Sequence, residues 1–175
     1  MAIYRYVADA DQFDCISVAR EHRRLFDRFC DGQLLTDWWA PIPVDVDASR
    51  DGPGDFPSLY CHAPVFSERA WDALTPFVAH TAEALPLIYP GDRKYFVINV
   101  LDMVDGLDHS TSVIDRYSDG RISHVEHYSF QREHLEGKHF FKIPETAGLE
   151  VLVSDEFREA VESHGLKGLI FQQLR

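Results

Sequence analysis

Hydrophobic and polar positions alternate with a period of two in several short stretches and follow a helical period in three others. Ile3 to Val7 reads as a strand with Tyr4 and Tyr6 on one face and Ile3, Arg5 and Val7 on the other. Ser17 to Cys30 reads as a helix. Val18, Leu25, Phe26 and Phe29 can share one face, Arg20, Arg23, Arg24 and Arg28 cover the rest, and Gly32 suits a left-handed cap. Leu34 to Pro57 breaks the pattern: Trp38-Trp39, four prolines and the acids Asp45, Asp47, Asp51 and Asp55 predict a long irregular connection, extended at Pro41–Val44.

Periodicity resumes at Ser58 to Val65, a β-prone stretch. Ser67 predicts an N-cap, with Glu68 complementing the helix dipole and Ala70, Trp71, Leu74 and Val78 forming a buried face to about His80, across Pro76, which should disturb it. Leu85–Tyr89 and Lys94–Leu101 read as strands around the turn Pro90-Gly91-Asp92. Val113 to Phe130 is a hairpin turning at Asp119-Gly120. One helical turn at Gln131–Glu136 is closed by Gly137, and a strand from His139 to Ile143 stops at Pro144. The chain ends on a strand at Val151–Val153, a helix capped by Ser154, a tight turn from Gly165 to Gly168 and a strand at Leu169–Phe171.

Strands outnumber helices, so the expected fold is α+β: a mostly antiparallel or mixed β-sheet with about three flanking helices. The length suits a single domain over 1–175, with a looser N-terminal part (1–57) carrying the acidic loop 34–57 and a core at 58–175. The Ser67 and Ser154 segments echo one another. Serine followed by an acid is a common helix start, so the echo alone does not separate a duplicated unit from a shared way of capping.

The net charge is −12, from 29 acidic and 17 basic residues. That argues against a nucleic-acid or anionic-membrane binder, which would present basic surface, and suits a basic partner as well as simple solubility. Cys15, Cys30 and Cys61 cannot all pair with one another and form no CxxC, which fits a reducing cytoplasm. No stretch predicts a signal peptide or a membrane span.

Catalytic signals are weak. His124 and His127 should point to opposite faces of a strand, and no HExxH occurs. Cys61 adjoins His62, but neighbours on a strand face opposite ways. Ser67 and Ser154 read as caps because neither sits in a nucleophile elbow. Asp102, Asp105 and Asp108 lie three apart next to His109. On a helical turn they would form one acidic stripe for a cation or a basic partner, though without the Gly and Glu of a calcium loop. No cofactor is expected.

Eight phrases in order go beyond composition: Asp55-Phe56-Pro57; Pro64 to Leu74; Glu83 to Leu87; Asn99-Val100-Leu101; Val104 to Asp108; Tyr128-Ser129-Phe130; Phe140 to Glu145; and Ser154 to Phe157 with Gly165 to Gly168. In these the chain resembles a family of bacterial immunity proteins from polymorphic toxin systems, first catalogued as an uncharacterised domain and typified by a myxobacterial protein. The resemblance runs from about Asp55 to the C-terminus. It implies a non-catalytic cytoplasmic antidote that binds and neutralises a cognate toxin domain. It carries over no site residue and no oligomeric state.

For such a role a basic toxin cleft would be met by Trp39, Asp45, Asp47, Asp51 and Asp55, and secondarily by Asp102, Asp105 and Asp108. The alternatives are a small metal-dependent hydrolase using the Asp102–His109 cluster, or an adaptor unrelated to any toxin.

Overall fold

The computed structural model describes residues 2–59 and 63–175. Twelve strands, two α-helices and an eleven-residue 3-10 helix are found among them, so the α+β expectation holds. The strands are β1 (Ile3–Ala8), β2 (Cys15–Val18), β3 (Ile42–Asp47), β4 (Ser58–Leu59), β5 (Val65–Ser67), β6 (Ala82–Ile88), β7 (Tyr95–Val100), β8 (Val113–Arg116), β9 (Ile122–His127), β10 (Phe140–Phe141), β11 (Leu152–Ser154) and β12 (Leu169–Gln173). The helices are α1 (Glu68–Val78) and α2 (Asp155–Ser163).

A four-stranded antiparallel sheet has the order β10-β11-β1-β12. A mixed six-stranded sheet has the order β4-β2-β3-β6-β7-β5, parallel at β2–β4 and β3–β6. β8 and β9 form a separate hairpin, with Gly120 in the left-handed region at its turn. The first strand therefore lies in the middle of the sheet that the last strands build.

Alternation decides how these sheets pack. Tyr4 and Tyr6 turn to a core that contains Phe56, Phe66, Ile98, Phe140, Val153 and Phe157 and is shared by α1, α2 and both sheets. Ile3, on the opposite face of β1, packs with Leu107, Tyr128, Phe141 and Leu152 under the segment that carries the hairpin. The other face of the six-stranded sheet (Val44, Val65, Leu85, Tyr95 and Val97) is covered by the 3-10 helix through Phe26 and Phe29.

Two stretches depart from the sequence expectation. The expected helix at 17–30 begins later: residues 15–18 are β2, paired antiparallel to β3 with Val18 opposite Val44, and the helix is a 3-10 helix, Arg20–Cys30. Its three-residue turn stacks Phe29 on Phe26, ring centroids 5.1 Å apart, and rotates Leu25 off that face to 39% exposure. Buried Lys142 donates from Nζ to Phe29 O at 2.6 Å, fastening the end of this helix to the segment after β10. Burial pushes the Lys142 ammonium down from its ordinary value. The connection at 34–57 is irregular over most of its length, as expected, but holds a 3-10 turn, Thr36–Trp38, and, where the extended Pro41–Val44 was expected, β3, whose pairing with β2 and β6 satisfies the backbone that the prolines interrupt. Pro76 lies inside α1 near its C-terminal end, and the helix runs on to Val78.

Candidate functional site

On β3, Ile42 and Val44 point into the core, and the period of two sends Pro43, Asp45 and Asp47 to the opposite face, where they are exposed. Register places Ser17 and Cys15 beside Asp45 and Asp47, and Ile88 beside Pro43. Ile88 is 54% exposed. The helices α1 and α2 cover the β5–β7–β6 end of this sheet face and leave the β6–β3–β2 end open. The result is a flat surface with an apolar edge and two carboxylates at alternate positions of one strand.

The tryptophan turn before β3 is pinned along β6. Glu83 accepts from Leu35 N at 2.8 Å, Thr36 N at 3.0 Å and Asn99 Nδ2 at 2.8 Å, and from the Thr36 hydroxyl. Burial raises the Glu83 carboxyl, but these donors outweigh it and hold the group below its ordinary value. Trp39 donates from Nε1 to Pro86 O at 2.9 Å and meets Phe26 and Phe29 edge-on at 6.1 and 6.0 Å. Trp39 is thus packed inward, and the exposed ring is Trp38, at 78%. The turn Thr36–Trp38, which Trp39 leaves in extended conformation, sends the two rings apart. Leu35 and Trp39, four apart, share its packed face, and that spacing was the available signal.

The remaining candidate carboxylates differ in kind. Asp51 is exposed on the loop after β3. Asp55 is buried. Its Oδ1 accepts from Ser67 Oγ at 2.8 Å, and its Oδ2 from Arg69 Nη1 at 3.1 Å and Lys167 N at 2.9 Å. This carboxylate is spent on holding α1 to the turn before β12. Asp102, Asp105 and Asp108 do not form a stripe, since the backbone there is extended, with bridges Met103–Lys142 and Leu107–Phe130. Asp102 is held by Lys138 Nζ at 2.9 Å. Asp108 Oδ1 closes a turn by accepting from Ser110 Oγ and Ser110 N at 2.6 and 2.9 Å, and the hydroxyl bond above all holds its carboxyl below the ordinary value. Asp105 is exposed, and its carbonyl contacts His134 Nδ1 at 2.6 Å.

The chemistry suggested by other motifs is not assembled. His109 turns to Glu145, with Nε2 2.5 Å from Oε1, away from a shared site with the three aspartates. Among the described residues no three His, Cys, Asp or Glu side chains converge as metal ligands. Cys61 and His62 lie outside the described residues. Ser67 and Ser154 are helix caps, accepting from Ala70 N at 3.0 Å and Phe157 N at 3.2 Å. No described helix is long and apolar enough to cross a membrane.

A concave feature elsewhere has no sequence signal. A cleft of about 750 Å³ lies between β9, the end of β12 and the segment 145–150. Arg5, Tyr128 and Glu150 meet in it: Arg5 Nη2 is 3.0 Å from Glu150 Oε1, and Tyr128 Oη donates to Glu150 Oε2 at 2.9 Å. Burial first, then the Glu150 carboxylate, pushes the Tyr128 phenol up to about 12. Arg5 and Glu150 are 145 positions apart, beyond the reach of any local pattern.

The model of an immunity protein family, Imm11, matches residues 88–175. The chain belongs to this family. The match covers half of the chain, from the last residue of β6 through β12. It starts later than the resemblance at Asp55 suggested, and it leaves the acidic face of β3 outside the matched residues while taking in every cleft residue except Arg5. No curated protein matches the chain.

Proposed function

We propose that the protein binds and neutralises the toxic domain of a co-encoded effector in the cytoplasm, by occlusion and without catalysis. Membership of the immunity protein family supports an immunity role. The observation that carries the binding reading is the open β6–β3–β2 surface, where Asp45 and Asp47 stand out from one strand beside an apolar edge. A surface of this kind suits a partner with a basic cleft. The carboxylates steer association through long-range attraction, and Trp38 supplies contact area. Asp51 belongs with this set by exposure, Asp105 and Asp108 form a secondary acidic edge, and Trp38 takes the place first given to Trp39. Asp55 and Asp102 serve the fold.

The test is co-expression with the neighbouring toxin gene, followed by association kinetics. Growth should be rescued, and replacing Asp45, Asp47 and Asp51 together by Lys should slow association about 10-fold or more at low salt and flatten its salt dependence. An unchanged on-rate removes the electrostatic reading. Failure to rescue growth, with both proteins soluble, removes the immunity reading itself.

A further inference from the structure

Half of the net charge sits on two short segments. Residues 9–17 and 45–58 hold seven aspartates and one arginine, Arg50, a net −6 out of −12. The fold brings them together: β2 pairs with β3, Asp14 N donates to Gly52 O at 2.9 Å, Asp51 N to Gln12 O at 3.2 Å, and Ser58 N to Asp14 O at 3.2 Å. Asp55 is neutralised by Arg69. Asp11, Asp45, Asp47 and Asp51 make no ion pair among the described residues.

Small side chains lie beside these carboxylates. Register sets Asp47, Cys15 and Ser58 in one row across three strands, and Asp45 and Ser17 in the next, on the face away from the core residues Ile16, Val44 and Leu59. The short Cys and Ser side chains next to Asp leave a hollow of about 310 Å³ in an otherwise flat face, and its walls include Cys15, Ser17, Asp47 and Ser58. Behind it stands Asp14, only 4% exposed. Its oxygens accept from Ser49 N at 2.7 Å and Tyr89 Oη at 3.3 Å, both neutral donors, and no cation pairs with it among the described residues. A buried carboxylate without a counter-charge is unfavourable, and its field is screened less than that of an exposed one. Burial first, then Asp47, Asp14 and Asp11, pushes the Cys15 thiol above its ordinary value, so a neutral thiol lines the hollow.

Size and chemistry narrow the occupant. One turn of helix, about 10 Å across and 5.4 Å long, fills about 420 Å³, more than the hollow holds. No three metal-ligating side chains converge among the described residues, so a divalent ion finds no cage there. A single long cationic side chain fits. Its head meets Asp47 and the field of Asp14 and Asp11, the serine hydroxyls accept its N–H groups, and its methylene stem lies along the Cys15 thiol.

We infer that this hollow is the socket for one lysine or arginine of the toxin domain, the point that fixes the register of the acidic face on its partner. The inference deepens the toxin-binding reading and rests on it. It adds Asp11, Cys15, Ser17 and Ser58 to the carboxylates of that face.

The experiment measures association and dissociation of the toxin domain with the unaltered protein, Ser17→Phe and Asp47→Asn, alongside alanine replacement of each lysine and arginine of the toxin. Ser17→Phe fills the hollow and leaves every charge in place. Asp47→Asn keeps the shape and removes the charge at an exposed position, so it decides the outcome if Ser17→Phe does not fold. The expected result is that Ser17→Phe leaves association within about two-fold and speeds dissociation about ten-fold or more. One toxin lysine or arginine should show the same loss when replaced, and its loss should not add to that of Asp47→Asn. Unchanged dissociation in Ser17→Phe, or losses that add for every toxin lysine and arginine, overturns the socket. If the Asp45, Asp47 and Asp51 variant is still slow to associate, the electrostatic reading stands without it. A toxin domain that fails to bind the unaltered protein overturns both.

Discussion

The segments β5–α1–β6 and β11–α2–β12 can be laid over one another by topology. In each, two parallel strands flank an antiparallel one brought from elsewhere, β7 in the first and β1 in the second. In each, a serine ends the first strand and caps the helix. The match extends to the residue behind the cap. Ser67 N donates to Asp55 O at 2.8 Å, and Ser154 N to His139 O at 3.2 Å. Ser67 Oγ bonds the Asp55 side chain, and Ser154 Oγ lies 2.9 Å from His139 Nδ1. The next residues, Phe56 and Phe140, both pack on Phe66 in the shared core. The difference is the backing group. Asp55 also takes Arg69 and Lys167 N, and Arg69 reaches on to His164 O at 2.5 Å, at the end of α2. His139 bonds its serine through Nδ1, which also lies 3.9 Å from Glu156 Oε2 at the surface, and rests edge-on against Phe77 at 5.4 Å. One scaffold is thus used twice, but only the first copy carries a buried charge that ties the two together.

If Asp55 is the joint, removing it should cost far more than removing its counterpart. Asp55→Ala strips acceptors from Ser67, Arg69 and the Lys167 amide and should destabilise the protein by about 3 kcal/mol, against about 1 kcal/mol for His139→Ala. Urea denaturation of the two variants measures this directly. Equal losses would mean that the charge is an ornament on a symmetric scaffold.

The caps themselves should be nearly equivalent. Ser67→Ala and Ser154→Ala each remove one first-turn acceptor and should cost about 1 kcal/mol. Coupling should separate them. A double-mutant cycle of Ser67 with Asp55 should give an interaction energy of about 1 kcal/mol, and the cycle of Ser154 with His139 less than half of that. Matching coupling energies would erase the distinction drawn from the side-chain geometry.

The extent to which this was legible in the sequence follows from range. Both caps, the Asp119-Gly120 hairpin and the two faces of β1 are local, set by one residue type or a period of two, and the chain shows them directly. Arg20–Cys30 shows its apolar face but not its 3-10 winding, because Phe26 and Phe29 at spacing three fit either helix. At the acidic surface, Asp45 and Asp47 stand exposed in the structure, while Asp55 is spent internally through partners up to 112 positions away that no neighbouring residue announces. Which of Trp38 and Trp39 packs is decided by the contacts of Trp39 with Pro86, Phe26 and Phe29, and the adjacent pair by itself does not distinguish them. The cleft was invisible, since Arg5, Tyr128 and Glu150 meet only after β1 inserts between the two last strands.

The smallest effect expected concerns the first residues of the helices and is a matter of acid sensitivity. Asp155, opening α2, accepts from Ala2 N at 2.6 Å and from Tyr4 Oη at 3.0 Å, so it fastens the start of β1 to the second unit. Its counterpart Glu68 opens α1 and, among the described residues, pairs with the exposed Lys94. The bond from the Ala2 amide, foremost, holds the Asp155 carboxyl below its ordinary 3.8. A carboxyl depressed on folding contributes stability that is fully present above its unfolded value and is lost as pH falls through the folded one. Stability measured from pH 6 to pH 2.5 should therefore drop less steeply below about pH 4 in Asp155→Asn than in the unaltered protein. At neutral pH the variant should start lower, because the amide replaces a charged acceptor. Glu68→Gln, whose charge pairs only on the surface, should shift neutral stability by less than about 0.5 kcal/mol. If the two variants give superimposable acid profiles, the tie between β1 and the second unit has no electrostatic component, and Asp55 is left as the sole charged link in the paired scaffold.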